Sequence, residues 1–514
     1  MSGTGGGGRR PQGGRDGAGR DGAGRNGAGR DGAGRNGAGR DGGDGRGGDR
    51  RGPRRAPGSS WVARPRLVAY DVLEAVRDSE AYANLLLPTR IARAGLAGAD
   101  AGLATELTYG TLRRQGTWDA VIAVAAGRPV QQIDPSVLNV LRLGTHQLLA
   151  TRVPTHAAVH ESVALANKVA PAASGFVNAV LRNVSRTEAG EWMRRIGADA
   201  RDETDRLAIV ESHPRWVVRA LRAALDREGR GDELEALLAA DNASPAVNLV
   251  LLPGLGDVEA SDLGEPDRYS PLGLTADRPL DVVAAHEGRV RVQDEGSQLA
   301  ALALTRARPI APGERWLDLC SGPGGKTAIL AAEALAADAM LVANELVPVR
   351  AELVRKAVAG VPLDVSVRVG DGRELDLAAL GAPGGFDRVL LDAPCTGLGA
   401  LRRRPESRWR KRPADVSELT ALQGQLLDAA IGALAPGGIL AYVTCSPHTA
   451  ETHGSLGAAL ARHEGEVEQL DTAGVLQAVA SRPLDLAGDG RTVQLWPHRH
   501  GTDAMFVALV RRRD

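Results

Sequence analysis

Hydrophobic positions are sparse at the start of the chain and then settle into two different periods. In residues 1–60 a five-residue polar unit, RDGAG or RNGAG, repeats from Arg15 to about Arg40. Such a Gly-rich segment holds too little apolar surface to offset its ordering entropy and is expected to stay disordered. From Trp61 to about Arg186 the period is helical: Val68, Val72 and Val76 recur every fourth residue. Leu141 and Leu148 lie a heptad apart in a segment opened by Asp134-Pro135, and Val159 and Val163 continue the pattern. Strand-like alternation is missing, which predicts an all-α bundle. A further helical stretch, roughly Asp202–Ala240, leads to Asn248-Leu-Val-Leu-Leu252 before Pro253-Gly254. That short apolar run predicts the first strand of a small mixed α/β domain.

After about Gly288 the period alternates between strand and helix. Strands are predicted over Trp316–Leu319, Met340–Glu345, Val365–Val369, Arg388–Asp392 and Ile439–Thr444. Helices are predicted over Thr327–Ala336, Pro348–Val358 and Ala414–Leu434, with Thr492–Trp496 and Phe506–Val510 as a closing hairpin. This order predicts a mostly parallel, doubly wound Rossmann-like sheet, whose ligands sit beyond the carboxyl ends of the strands. The chain therefore reads as multidomain: a tail (1–60), a helical bundle (61–190), a connecting domain (191–288) and an α/β domain (289–514).

Composition narrows the function. No run of about 18 apolar residues occurs, so no membrane span is expected, and the N-terminus lacks the apolar core of a secretory signal. Three cysteines, Cys320, Cys395 and Cys445, give no disulfide framework and suit a reducing cytoplasm. Metal-binding CxxC pairs are missing, and no metal is expected. The net charge of zero conceals an uneven distribution, since residues 1–57 hold thirteen Arg against six Asp. That tail reads equally well as a loose phosphate-binding arm or as a solvated extension. A second basic cluster comprises Arg402, Arg403, Arg404, Arg408, Arg410, Lys411 and Arg412. With Trp409 available for stacking, it is expected to line a path for RNA.

The most specific loop is Asp318-Leu-Cys-Ser-Gly-Pro-Gly-Gly-Lys-Thr327, between a strand and a helix. Gly-Gly-Lys-Thr suggests a nucleotide P-loop, but that motif needs G-x-x-x-x-G-K-[ST], and Cys320 stands where its first Gly belongs. Acids then end successive strands. Glu345 is placed to accept from a ribose diol, Asp371 lies just after the third strand within reach of an adenine amino group, and Asp392 ends the fourth. Loop and acids together predict an adenosyl-cofactor pocket. Asp392-Ala-Pro-Cys395 and Thr444-Cys-Ser-Pro447 each follow a strand on that same side. A lone Cys is usually a small buried hydrophobe, but two beside Pro at strand ends point to reactive thiols.

On these motifs, with Pro436-Gly-Gly438, the chain from Trp61 to Asp514 resembles the Fmu/Sun group of RNA cytosine-5 methyltransferases. Leu107-Thr-Tyr-Gly-Thr111 and Phe176–Asn183 are similar to the NusB-type RNA-binding domain that precedes the catalytic domain in that group. The resemblance implies a class I methyltransferase domain using S-adenosyl-L-methionine. Cys320, Ser321, Gly322, Pro323, Gly324, Gly325 and Lys326 would form the cofactor loop, and Glu345, Asp371 and Asp392 would complete the cofactor and base pocket. Cys445 would attack C6 of cytosine and Cys395 would assist product release. Asp392 would bond the N3/N4 edge of the base as a protonated acid, with Lys326 supporting it or holding it in place. A helix N-terminus at Cys445 would favour its anion. Where this chain has Glu451-Thr452, many relatives have Glu-Asn. The implied partner is small-subunit (16S) ribosomal RNA, unassembled or partly assembled, met by a cytoplasmic monomer. Other readings are a transfer or messenger RNA cytosine-5 methyltransferase, a purine N-methyltransferase, which would usually carry an Asn/Asp-Pro-Pro-aromatic motif that this chain lacks, and a non-catalytic RNA-binding or ribosome-assembly protein, which would need no thiol pair.

Overall fold

The computed structural model describes residues 62–514 except Glu80, Asp257 and Glu259. The expectation for the tail lies outside these residues. The described residues fall in one compact unit.

The helical period becomes a bundle whose main helices are Arg64–Asp78, Ala83–Arg93, Gly98–Arg113, Gln115–Ala126, Pro135–Ala150, Thr155–Val169 and Ser174–Val184. Val68, Val72 and Val76 point into its core together with Leu141, Trp118 and Leu181. Asp134 starts its helix as read: its carboxylate accepts from the amides of Ser136 (2.9 Å) and Val137 (3.2 Å), two donors with no partner within the helix. The helices Glu203–Val210, Arg215–Arg227 and Leu234–Asp241 follow. Their apolar faces close over Leu398, Leu401, Trp496 and Ala504 from the far half of the chain.

Next comes a four-stranded antiparallel sheet of β1 (Asn248–Leu251), β2 (Glu265–Pro266), β3 (Gly273–Thr275) and β4 (Val290–Val292), in the order β2-β3-β1-β4. The large sheet holds β5 (Arg315–Asp318), β6 (Met340–Glu345), β7 (Ser366–Val369), β8 (Phe386–Asp392), β9 (Leu434–Thr444), β10 (Val467–Gln469), β11 (Thr492–Gln494) and β12 (Phe506–Arg512). Its order is β10-β12-β9-β8-β5-β6-β7, with β11 beside β12. Strands β5 to β9 pair in parallel, while β10, β11 and β12 join antiparallel. The helices Glu295–Arg306 and Gly325–Ala336 pack on one face and Pro413–Gly432 and Ser455–Arg462 on the other. The chain reverses its direction of travel between β5 and β8, so the ends of these two strands border the crevice where such sheets bind ligands.

Two strands differ from expectation. β9 starts at Leu434, five residues early, because Phe386 pairs with Leu434 and Arg388 with Ile439. The extra β9 residues bulge at Pro436-Gly-Gly438, with Gly437 at φ +70°. β10, which the sequence pattern does not single out, is a three-residue edge strand too short to show a period.

The basic cluster corrects a larger expectation. Arg402, Arg403, Arg408 and Arg410 do not line an open path but clasp the interior. Arg402 and Arg403 bond Asp294 and Asp503 at 2.8–3.2 Å. Arg408 is fully buried and donates to the carbonyls of Arg113 (3.1 Å), Ser212 (3.0 Å) and Asp241 (3.2 Å) and to Asn242 Oδ1 (2.9 Å). Arg410 bonds the carbonyls of Val76 (2.9 Å) and Ala81 (2.7 Å). Trp409 lies against Gly116, where an added Cβ would come within 2.6 Å of the indole. Five fixed donors per guanidinium suit Arg to closing several carbonyls at once, so arginine density here reflects packing between elements.

Candidate active site

The loop after β5 turns tightly over the end of β6. Ser321 donates its amide (3.0 Å) and hydroxyl (3.0 Å) to the carbonyl of Asn344, and the amide of Gly324 returns to Ser321 O (2.7 Å). Gly324 has φ +101°, a region that favours glycine. A Cβ there would lie 2.5 Å from Ala357 Cβ, so only glycine lets the loop seat against the Pro348–Val358 helix. Buried Glu345, at the end of β6, accepts from the amides of Gly322 (3.0 Å) and Val347 (2.9 Å). Pro323 is exposed, and Gly325 opens the helix that carries Lys326. Cys320 is largely covered, and burial pushes its thiol up, ahead of the nearby Asp318, Asp392 and Glu345 charges. It suits a loop wall and not a nucleophile.

Asp371, just past β7, is drawn to Arg373 by a paired contact (2.5 Å) that holds its carboxyl at about 2. Asp318, at the end of β5, is buried, and burial pushes it to about 7 against the hydrogen bond from Thr327 Oγ1 (2.7 Å). Its Oδ1 has no partner among the described residues. A glycine-lined turn, a buried acid beside it and an orphaned buried oxygen match a polar, amine- and diol-bearing ligand such as S-adenosylmethionine.

The strands β8 and β9 then bring Asp392, Cys395 and Cys445 to this loop. Lys326 Nζ lies 2.8 Å from Asp392 Oδ2. Burial acts most strongly and would lower this lysine, but the charge and hydrogen bond of Asp392, with Cys445 and Asp318, together keep it above its ordinary value. Cys395 Sγ and Cys445 Sγ are 3.5 Å apart, a thiol hydrogen bond and not a disulfide. That bond from Cys395 holds Cys445 below the ordinary thiol value. Burial and Asp392 oppose it, while Lys326 and Arg404 reinforce it. The same bond, then burial, pushes Cys395 well up. The pair is thus polarised, with the anion favoured on Cys445 and disfavoured on Cys395. No helix begins at Cys445, contrary to expectation: Ser446 Oγ and Pro447 shape a turn, and helical winding starts at Ala450 as a single wide π-turn. The neighbours named above favour the anion instead.

Sequence reasoning missed Glu451, which it noted only as half of a dipeptide. Fully buried on that π-turn, its carboxylate accepts from Thr396 N (2.7 Å), Thr396 Oγ1 (2.5 Å) and Ser446 Oγ (2.6 Å). It ties the residue after Cys395 to the residue after Cys445. Gln423 adds a bond to Pro394 O (2.9 Å). Nothing in the local spacing announces this brace, because its partners are 55 and 5 residues away.

The doubly wound sheet with its cofactor loop defines an S-adenosylmethionine-dependent methyltransferase, fused to a helical domain. A family model described as 16S rRNA methyltransferase RsmB/F matches residues 308–511, and one for the NusB family matches residues 63–186. The putative methyltransferase Rv1407 of Mycobacterium tuberculosis is 49% identical, over 90% of this chain and 98% of its own. The ribosomal RNA small subunit methyltransferase B of Pseudomonas syringae pv. tomato is 37% identical over 80% and 89% of the two chains. Its probable counterpart in Bacillus subtilis is 30% identical over 87% and 98%. The crystal structure of PH0851 shares the fold at a TM-score of 0.69 and 24% identity, covering 87% of this chain and 98% of that one. The chain belongs to the RsmB/F family of 16S rRNA methyltransferases. Its cofactor is S-adenosylmethionine. Among the described residues no helix is long and apolar enough to cross a membrane, and no cluster of metal-ligating side chains occurs.

Proposed function

We propose that this protein methylates C5 of a cytosine in 16S ribosomal RNA, in the cytoplasm, through a covalent bond from Cys445 to C6. The polarised Cys395–Cys445 pair beside Lys326 and Asp392 carries this reading. C5 of cytosine is too electron-poor to attack a methyl sulfonium unaided. Addition of the Cys445 thiolate to C6 makes C5 enamine-like and moves charge toward N3. Asp392 faces that edge of the base, and Lys326, its ion-pair partner, supplies the positive charge and proton that the notional protonated acid would have provided. S-adenosylmethionine supplies the electrophilic methyl group. Loss of the C5 proton to a base then expels Cys445 as thiolate, restoring the ring. Cys395, 3.5 Å from the departing sulfur, assists this release. Glu345 and the loop Cys320–Lys326 would hold the cofactor, with Asp371 available to its adenine amino group.

Bisulfite sequencing of total RNA from cells with and without the gene should show one small-subunit rRNA cytosine losing its protection. With purified protein, Cys445→Ala should abolish methylation, while Cys395→Ala should accumulate an RNA–protein adduct visible as a shifted band on a denaturing gel. A Cys395→Ala protein that turns over normally without such a band rules out its role in release. Protection that appears on a transfer RNA instead redirects the substrate and keeps the chemistry.

A further inference from the structure

Arg402, Arg403, Arg408 and Arg410 are committed to the interior, whereas Arg404, in the same segment, is not. Arg404 is exposed, and among the described residues its guanidinium has no hydrogen bond or ion pair. Its contact is the ring of Tyr82, 5.9 Å from the guanidinium carbon. Tyr82 belongs to the helical domain and is 42% exposed.

The backbone of Arg404 is tied to the segment that meets Cys445, and Tyr82 lies against its guanidinium. The amide of Gly399 donates to Cys445 O (2.9 Å), the amide of Ala400 turns back to Gly397 O (3.1 Å), and the amide of Arg404 closes on Ala400 O (2.9 Å). Arg404 therefore stands one turn from the backbone of Cys445, and its charge is among those that favour the Cys445 anion. On the other side, Ala83 N donates to buried Glu406 Oε1 (3.1 Å), fixing the residue next to Tyr82. Arg410, anchored on Val76 and Ala81, lies 5.2 Å over the same ring.

We infer that Arg404 and Tyr82 form a nucleotide-binding station at the mouth of the catalytic pocket, taking the phosphate and base next to the target in single-stranded RNA. The inference rests on the RNA reading proposed for this site. The Arg404 guanidinium, held among the described residues by no carboxylate or carbonyl, supplies the phosphate contact, and the part of the Tyr82 ring left exposed beside Arg404 and Arg410 supplies an aromatic stacking surface that every base can use. The station spans both domains, so it gives the helical domain a direct share in presenting the target. A purely structural cation–π pair would leave RNA binding unchanged.

The full-length protein is titrated with labelled single-stranded oligocytidylate by fluorescence anisotropy across a salt series. Arg404→Ala should weaken binding about tenfold and flatten the slope of log K against log salt by about 0.7, one phosphate contact on a single strand. Arg404→Lys should retain the slope. Tyr82→Ala should weaken binding about tenfold at unchanged slope, and Tyr82→Phe should match the wild type. S-adenosylmethionine affinity, unchanged in all four variants, certifies the fold. An Arg404→Ala protein with wild-type affinity and slope, a Tyr82→Ala protein with wild-type affinity, or a wild type that does not bind the oligonucleotide overturns the station. Wild-type protein that binds with these dependences yet deposits no 5-methylcytosine overturns the proposed function and leaves the station standing.

Discussion

At the scale of single residues, one proton divides the labour between two chemically identical groups. Cys395 and Cys445 are both half-buried and both within two residues of a Pro, yet their shifts run in opposite directions because the hydrogen bond between them has a donor and an acceptor. Removing the donor should be visible in a pH profile. A thiol held low is anionic above that low value. In Cys395→Ala, burial and Asp392 then act on Cys445 with only Lys326 and Arg404 opposing, so its pKa rises. The acid limb of single-turnover adduct formation should therefore move to higher pH, and Lys326→Met should move it the same way. An unmoved limb in both variants would show that another group controls it. Cys320, by contrast, is pushed up by burial and should leave the limb unchanged as Cys320→Ala.

At the scale of elements, the two cysteine loops follow different strands, and Glu451 registers them against each other. Hydrogen bonds to a charged group contribute about 1.5–3 kcal/mol each, and each 1.4 kcal/mol in a barrier is about tenfold in rate. Glu451→Gln keeps the shape but turns an amide NH2 toward existing donors. We expect kcat to fall about ten- to a hundredfold with S-adenosylmethionine affinity retained, by calorimetry beside the methylation assay. Gly324→Ala should do the reverse. A forced φ of +101° and contact with Ala357 displace the cofactor loop, so cofactor affinity falls at least tenfold while the thiols remain in place. This contrast also shows what was legible in advance. The cofactor loop is continuous in sequence, so strand, glycines and helix could be read together, and the parallel strands followed from their apolar runs. The brace joins residues far apart in the chain through a turn that has no periodic signature. The bulge in β9 hid for the same reason: Pro436-Gly-Gly438 reads as a stop, whereas in the sheet it lies within a longer strand.

At the scale of the whole molecule, the helical and catalytic parts are joined by buried charge. An arginine-rich segment has the same composition whether it faces RNA or the interior, which is why the sequence suggested a path where the structure has a clasp. Arg408 is held by carbonyls from three regions, and burial lowers it to about 10. Replacing it leaves those buried acceptors without donors, at about 1–3 kcal/mol apiece. Arg408→Met should therefore lose at least about 3 kcal/mol of stability in urea titration. Arg408→Lys should recover little, because one ammonium cannot span the same carbonyls. Asp241, beside it, is pushed by burial to about 7. A carboxyl raised on folding contributes stability that is fully present below its unfolded value and fades as pH rises through about 7. Asp241→Asn should flatten the fall in melting temperature between about pH 4 and 7.

The clasp also bears on how the chain is made. The carbonyl of Arg113 waits for a donor 295 residues downstream, and that of Ser212 for one 196 residues downstream. At ~5–20 residues per second, the first delay is about 15–60 s. Through that interval those two carbonyls lack the Arg408 donor that closes the seam in the folded protein. Arg408 is thus the late residue on which the seam between the early helices and the catalytic half depends.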